Sequence, residues 1–188
     1  VYFDTATALG VTFMMGQANS RIRVRTAGIL IHENRILVMK QNSNPFWVLP
    51  GGTLELGESL EACLIREFKE EVELNVTCGK MVSVSDFLDP EPLKEGQSPE
   101  SLRRHVIDFL FPVAYQTGPL TWEAPYPENI QDIQWLTKEA FEAQELRPPF
   151  FKTLILTHWD AIANPASDIF TPESLETLGG YKVMYPLG

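Results

Sequence analysis

Three glutamates, Glu67, Glu70 and Glu71, stand three and four residues apart in a stretch that also holds Glu58 and Arg66. On a helix, at about 100° per residue, they project from one strip of surface, and carboxylates packed that closely repel one another. A hard divalent cation with oxygen ligands is the partner such a strip calls for. Leu60, Leu64, Phe68 and Val72 form an apolar stripe beside it, so the helix has one face to bury and another to charge. Ahead of the helix, Leu49-Pro50-Gly51-Gly52 is a turn whose glycines let backbone approach whatever the carboxylates hold. A Glu-Glu pair alone is the ordinary solvated face of an amphipathic helix. That account leaves out the glycine turn and the spacing of Glu58 and Arg66.

The stretch from Gly52 to Leu74 resembles the Nudix box, G-x5-E-x7-R-E-U-x-E-E-x-G-U, with U a bulky aliphatic or aromatic residue. Gly52, Glu58, Arg66, Glu67, Phe68, Glu70, Glu71 and Leu74 fall in register, and Pro50-Gly51 ahead of the box fits as well. One position departs, with Glu73 where the family has glycine. That glycine ends the helix in a left-handed conformation. Its loss costs about 1 kcal/mol and removes no metal ligand; Asn75 is expected to take over the cap.

The resemblance implies an α/β/α sandwich around a mixed β-sheet, an α/β (α+β) fold. It covers about residues 21–162 in order of elements and is specific only at the box. It further implies that Glu67, Glu70 and Glu71 bind Mg²⁺ (or Mn²⁺), with the Gly51 carbonyl as another ligand. Arg66 and Glu58 would orient those carboxylates. Glu67 or Glu70 would take the proton from water. An acid from the loop before the last sheet strand is expected at Glu128, with Glu123 and Asp132 as competitors. Arg23, Arg25 and Lys40 lie on strands that line the cleft in the family, where they would grip phosphate; otherwise they are surface charges. Phe46 and Trp47 either stack a base or pack in the core.

The elements that must position these residues follow from patterning. Residues 21–32 and 35–40 read as strands joined at Glu33-Asn34, a hairpin. Residues 46–49 read as a short strand stopped by Pro50, and Ser59 as the N-cap of the box helix. Residues 76–87 form a strand interrupted at Gly79, where a hairpin or bulge is expected. Residues 105–115 form a buried strand and residues 130–136 another. Thr137 caps a helix through Gln144, and a helix from 150 to 162 follows Pro148-Pro149. Residues 89–101 and 118–129 are proline-bearing loops. The domain is expected to span 21–163, with an extension at 1–20 and a tail at 164–188.

A chain of 188 residues, 44% hydrophobic and 21% charged, suits one globular domain. Its net charge of -10 and lack of a basic run argue against a nucleic-acid polymer or membrane as partner. Bound cations would reverse the local field for an anionic substrate. The run 6–15 is too short to span a bilayer. Cys63 and Cys78 read as reduced thiols, which fits a cytoplasmic setting.

Pyrophosphate hydrolysis needs charge neutralisation and an activated water. The expected reaction is therefore metal-dependent cleavage of a nucleoside diphosphate joined to another group, ADP-ribose first, releasing a nucleoside monophosphate. Pro90, sixteen residues beyond Leu74, matches a position common in ADP-ribose hydrolases of the family. A MutT-like (d)NTP pyrophosphohydrolase is the alternative, and a non-catalytic nucleotide-sensing module a third reading. Enzymes of the family that prefer ADP-ribose are often dimers, which makes a homodimer one option by analogy and leaves the subunit number open.

Overall fold

The computed structural model describes residues 22–42, 44–88, 105–163, 176–178 and 181–184. Strand β1 (Arg23–His32) and strand β2 (Arg35–Gln41) form the expected hairpin. Its turn residues Glu33 and Asn34 both adopt positive φ, 49° and 58°, the backbone that matches strand twist across a two-residue turn. Helix α1 (Leu60–Val72) carries the acidic strip. Strands β3 (Asn75–Cys78), β4 (Ser83–Leu88) and β5 (His105–Thr117) follow, then β6 (Ile130–Thr137). Helices α2 (Lys138–Glu142), α3 (Pro149–Thr157) and α4 (Trp159–Ile162) come next, with β7 (Glu176–Leu178) and β8 (Tyr181–Met184) last.

The sheet runs β6-β2-β1-β5-β4-β8-β7, with β3 also on β5. β1 and β5 are parallel, while the other pairs are antiparallel. Helices cover both faces. On one side Leu64, Phe68 and Val72 of α1 pack on Leu30, Leu37, Met39, Phe111 and Val113. Leu64, Phe68 and Val72 are each fully buried, which stabilises by about 1.5–3 kcal/mol per side chain. The Phe68 ring lies against Gly28 so closely that a Cβ there would overlap it. On the other side Phe141, Phe150, Leu154, Ile155 and Trp159 cover Ala27, Ile29, Ile36, Val38 and Leu110. The expected α/β/α sandwich around a mixed sheet is therefore the observed fold.

β1 and β2 pair only near their turn, at Ile31–Ile36 and His32–Arg35. Beyond it they diverge, and the glycine turn fills the fork. Val48 exchanges two backbone hydrogen bonds with Met39, at 2.9 and 3.0 Å, on the β2 side. On the β1 side, Thr26 N–H donates to Gly52 O, Gly28 N–H to Pro50 O and Leu54 N–H to Val24 O, each at 2.9 Å. The site's floor is thus built into the sheet.

Several expectations are corrected. Residues 46–49 make isolated bridges, Met39–Val48 and Trp47–Leu146, rather than a strand. Of the two readings at Gly79 the hairpin is excluded: β3 and β4 run along the same neighbour, β5, with Gly79 N–H bonded to Pro112 O. The helix expected over 150–162 breaks at His158 into α3 and α4. Glu73 itself adopts the left-handed cap, φ 57°, with Leu74 N–H closing on Phe68 O at 3.2 Å. Asn75 instead opens β3, its amide donating to Thr117 Oγ1. The 1–20 extension and Pro90 lie outside the described residues, and of the 164–188 tail only β7 and β8 are described.

Candidate active site

Ser59 caps α1 as expected, its hydroxyl accepting from Ala62 N–H at 3.1 Å. The helix then presents Arg66 toward the loop before it. The Arg66 guanidinium donates twice to Glu58, Nη2 to Oε1 at 2.7 Å and Nε to Oε2 at 3.2 Å. Nη1 reaches Glu67 Oε1 at 2.9 Å and Glu70 Oε2 at 3.2 Å, and Nη2 also reaches the Thr53 carbonyl at 3.3 Å. One planar cation therefore ties three glutamates to the loop, a task for which the guanidinium fork is suited. Its hydrogen bonds hold the Glu58 carboxyl down at about 2.

Glu71 points the other way, into the turn. Its Oε2 accepts from Gly51 N–H at 2.8 Å and its Oε1 from Gln41 Nε2 at 3.4 Å. Burial pushes its pKa up to about 7; the Gly51 hydrogen bond opposes that shift and the charge of Glu67 adds to it. The carboxylate of Glu67 lies against Gly52, where a Cβ would overlap it, and Gly51 has φ 145°, a backbone that L side chains rarely adopt. Both glycines are thus required by what sits beside them.

These groups open into a cleft of about 690 Å³. Glu67, Glu71, Gly51, Gly52 and Gln41 form one wall, and Arg23, Arg25, Val106 and Asp108 line it from β1 and β5. Arg25 Nη2 donates to Gly51 O at 3.4 Å, and Nη1 stands 3.5 Å from Asp108 Oδ1. Burial raises the Asp108 pKa, with Arg25 and Arg23 opposing. Arg23 Nη2 donates to Thr53 Oγ1. Arg147 lines the mouth with its guanidinium carbon 4.3 Å from the Phe46 ring centroid.

Of the residues expected at the site, Glu58, Arg66, Glu67, Glu71, Gly51, Arg23 and Arg25 are brought together. Glu70 lies on the rim, its side chain 60% exposed and held by Arg66. Glu128 is exposed in the turn before β6, outside the cleft walls. Trp47 is not a cleft residue: it is 5% exposed among core side chains, and its indole N–H donates to Gln144 Oε1 at 3.0 Å. Lys40 is drawn onto that indole, Nζ lying 4.5 Å from the ring centroid, and does not line the cleft. Both misplacements have one cause, the bridge of Trp47 to Leu146, which pins residue 47 beneath the 144–148 loop. Gln41, Asn44, Asp108 and Arg147 were missed. Asp108 did stand out as a lone charge in an apolar run; the others carry no pattern that marks them.

The donor set is all oxygen, two cleft carboxylates and a backbone carbonyl, which suits a hard divalent cation. Among the described residues, no group of three or more His, Cys, Asp or Glu is disposed to hold an ion by itself. Such an ion would complete its shell with water and substrate phosphate. Cys63 and Cys78 are free thiols, each pushed up to about 11 by burial.

The sandwich, the fork and the arginine-bound glutamates define a class that similarity to known proteins names. A family model described as the NUDIX domain matches residues 22–155, and the chain belongs to that family of hydrolases. An ADP-ribose pyrophosphatase of Methanocaldococcus jannaschii is 32% identical over 127 residues, spanning 65% of this chain and 69% of that one. The nucleoside triphosphatase NudI of an Enterobacter strain is 28% identical over 102 residues, 53% of this chain and 67% of its own length. Among solved structures, a UDP-X diphosphatase superposes with a TM-score of 0.56 at 16% identity, covering 75% of this chain and 64% of that one. A MutT protein from Methanosarcina mazei Go1 superposes with a TM-score of 0.53 at 20% identity, covering 74% and 94%. At these identities the superpositions speak for the fold alone. No described helix is long and apolar enough to cross a membrane.

Proposed function

We propose that this Nudix hydrolase cleaves, with a divalent metal, the diphosphate of a nucleoside diphosphate joined to another group, ADP-ribose first, releasing a nucleoside monophosphate. The observation that carries it is the placement of Glu67 and Glu71 beside the Gly51-Gly52 backbone, in one cleft with Arg23 and Arg25. Acidic and basic groups in one cleft suit a metal–diphosphate complex, the carboxylates holding the cation and the arginines the phosphate oxygens. Similarity to the archaeal ADP-ribose pyrophosphatase supports the substrate class.

Glu67, Glu71 and the Gly51 carbonyl would hold Mg²⁺ or Mn²⁺, with Glu70 joining from the rim. When bound, the cation neutralises the diphosphate and lowers the pKa of a coordinated water. The remaining work falls to side chains. Arg66 keeps Glu67 and Glu70 in fixed orientation and ties them to Glu58 and the Thr53 carbonyl. Glu67, which faces the cleft, is better placed than exposed Glu70 to accept the proton of the attacking water.

The test is turnover of ADP-ribose, nucleotide sugars and (d)NTPs with Mg²⁺ or Mn²⁺, read by product identity. AMP plus ribose phosphate from ADP-ribose is the expected result. Preference for (d)NTPs would favour a triphosphate pyrophosphohydrolase, the reading that similarity to NudI supports. Binding without turnover across the panel would leave a nucleotide sensor.

A further inference from the structure

Asp108 stands in the cleft with its side chain only 7% exposed, and the reaction above gives it no task. Its Oδ1 has no hydrogen-bond donor among the described residues. Arg25, 3.5 Å away, is shared with the Gly51 carbonyl. Ser85, its registered partner across β4 and β5, and Ser83 two residues earlier also have buried hydroxyls without a partner among the described residues. Packing does not ask for an acid here. Val106 and Leu110, two residues to either side on the same strand face, are apolar. A buried carboxylate short of donors is unfavourable, and a ligand that brings a donor removes the penalty.

We propose that Asp108 is a specificity-determining residue that accepts a hydrogen bond from a hydroxyl of the distal sugar or from the exocyclic amine of the base, beyond the diphosphate held at Glu67 and Glu71. The proposal rests on the nucleoside-diphosphate reading above. A site built around a buried acceptor without a hydrogen-bond donor discriminates strongly against ligands lacking the matching group, because binding them leaves the acceptor desolvated and without that bond. Those two donors lie on opposite sides of the diphosphate in a substrate of this class.

Three compounds separate them: ADP-ribose, the methyl ester of ADP, which lacks the distal sugar, and the purine-riboside analogue of ADP-ribose, in which hydrogen replaces the base amine. kcat/KM is measured for each with wild type and Asp108→Leu, which has no acceptor, and equilibrium binding of each is measured by calorimetry, once with Ca²⁺ and once in EDTA. Wild type is expected to prefer ADP-ribose to one analogue by about tenfold or more. Asp108→Leu should abolish that preference by lowering ADP-ribose to the analogue's level, leaving the analogue itself little changed. The analogue concerned identifies the donor.

Wild type without preference in either arm overturns the proposal, and needs no variant that folds. So does an equal loss on all three compounds, which would mark Asp108 as a positioning residue for Arg25. If wild type hydrolyses none of the three, the enzymatic reading fails, and binding still decides. Equal affinities for wild type and variant overturn the present proposal alone, and no binding at all overturns both.

Discussion

Arg66 and Glu58, eight residues apart, meet through two hydrogen bonds of 2.7 and 3.2 Å, so the loop ahead of α1 is fastened to the helix it precedes. The same guanidinium holds Glu67 and Glu70, which makes it the common anchor of groups that must not drift. Lysine carries the charge but has no planar fork to engage them together. Arg66→Lys is therefore expected to lower kcat by on the order of 100-fold through misplacement of the carboxylates. Circular dichroism of the folded variant and steady-state kinetics check this.

The Glu58 carboxyl is held at about 2 by Arg66, below its ordinary value near 4.5. A depressed carboxylate contributes stability above its unfolded pKa and loses it as pH falls through the folded one. The stability gap between wild type and Glu58→Gln should be full at pH 7 and shrink progressively from pH 4.5 toward pH 2. Urea denaturation at a series of pH values measures it; a gap independent of pH would contradict the ion pair.

Asp108 carries the opposite sign. Its pKa is raised by burial, so its contribution is favourable below the unfolded pKa and is lost as pH rises through the folded one. Asp108→Asn should melt higher than wild type at pH 7, with the difference fading toward pH 4. A lower melting temperature at pH 7 would mean that the Arg25 ion pair outweighs desolvation.

At Gly52 there is no space for a methyl group, because the Glu67 carboxylate occupies it. Gly52→Ala should displace that carboxylate and cut kcat/KM by about 100-fold, with a smaller effect on folding. Calorimetric titration with Mn²⁺ should register weaker metal binding in the same variant.

Glu73 adopts a left-handed backbone at φ 57° that is costly for any residue with a Cβ. Glu73→Gly should raise stability by roughly 0.5–1 kcal/mol. The carboxylates of the site stay where they are, so kinetics should be unchanged.

What the chain discloses on its own follows the range of the forces involved. α1, its Ser59 cap and the hairpin at Glu33-Asn34 are local features, written in spacing and turn chemistry, and they were legible. So was the cluster of Glu58, Arg66, Glu67 and Glu71, since all four lie within fourteen residues. Trp47 and Lys40 misled because their fate is set by a contact nearly a hundred residues away in sequence, with Leu146 and Gln144. Arg147 and Asp108 reach the cleft only through sheet register and the path of the 144–148 loop, which no local pattern encodes. The break at His158 likewise reflects packing of Trp159, whose indole N–H donates to Asn34 Oδ1, rather than any helix-stopping residue.

The fork between β1 and β2 has a consequence for how the protein can fail. Because residues 48–54 close the gap between those strands through shared main-chain bonds, the diglycine bend has no stability of its own to lose. It cannot melt while the barrier of strands around it endures, nor survive once they part. Heating should therefore take the bend and the sheet together, in one transition.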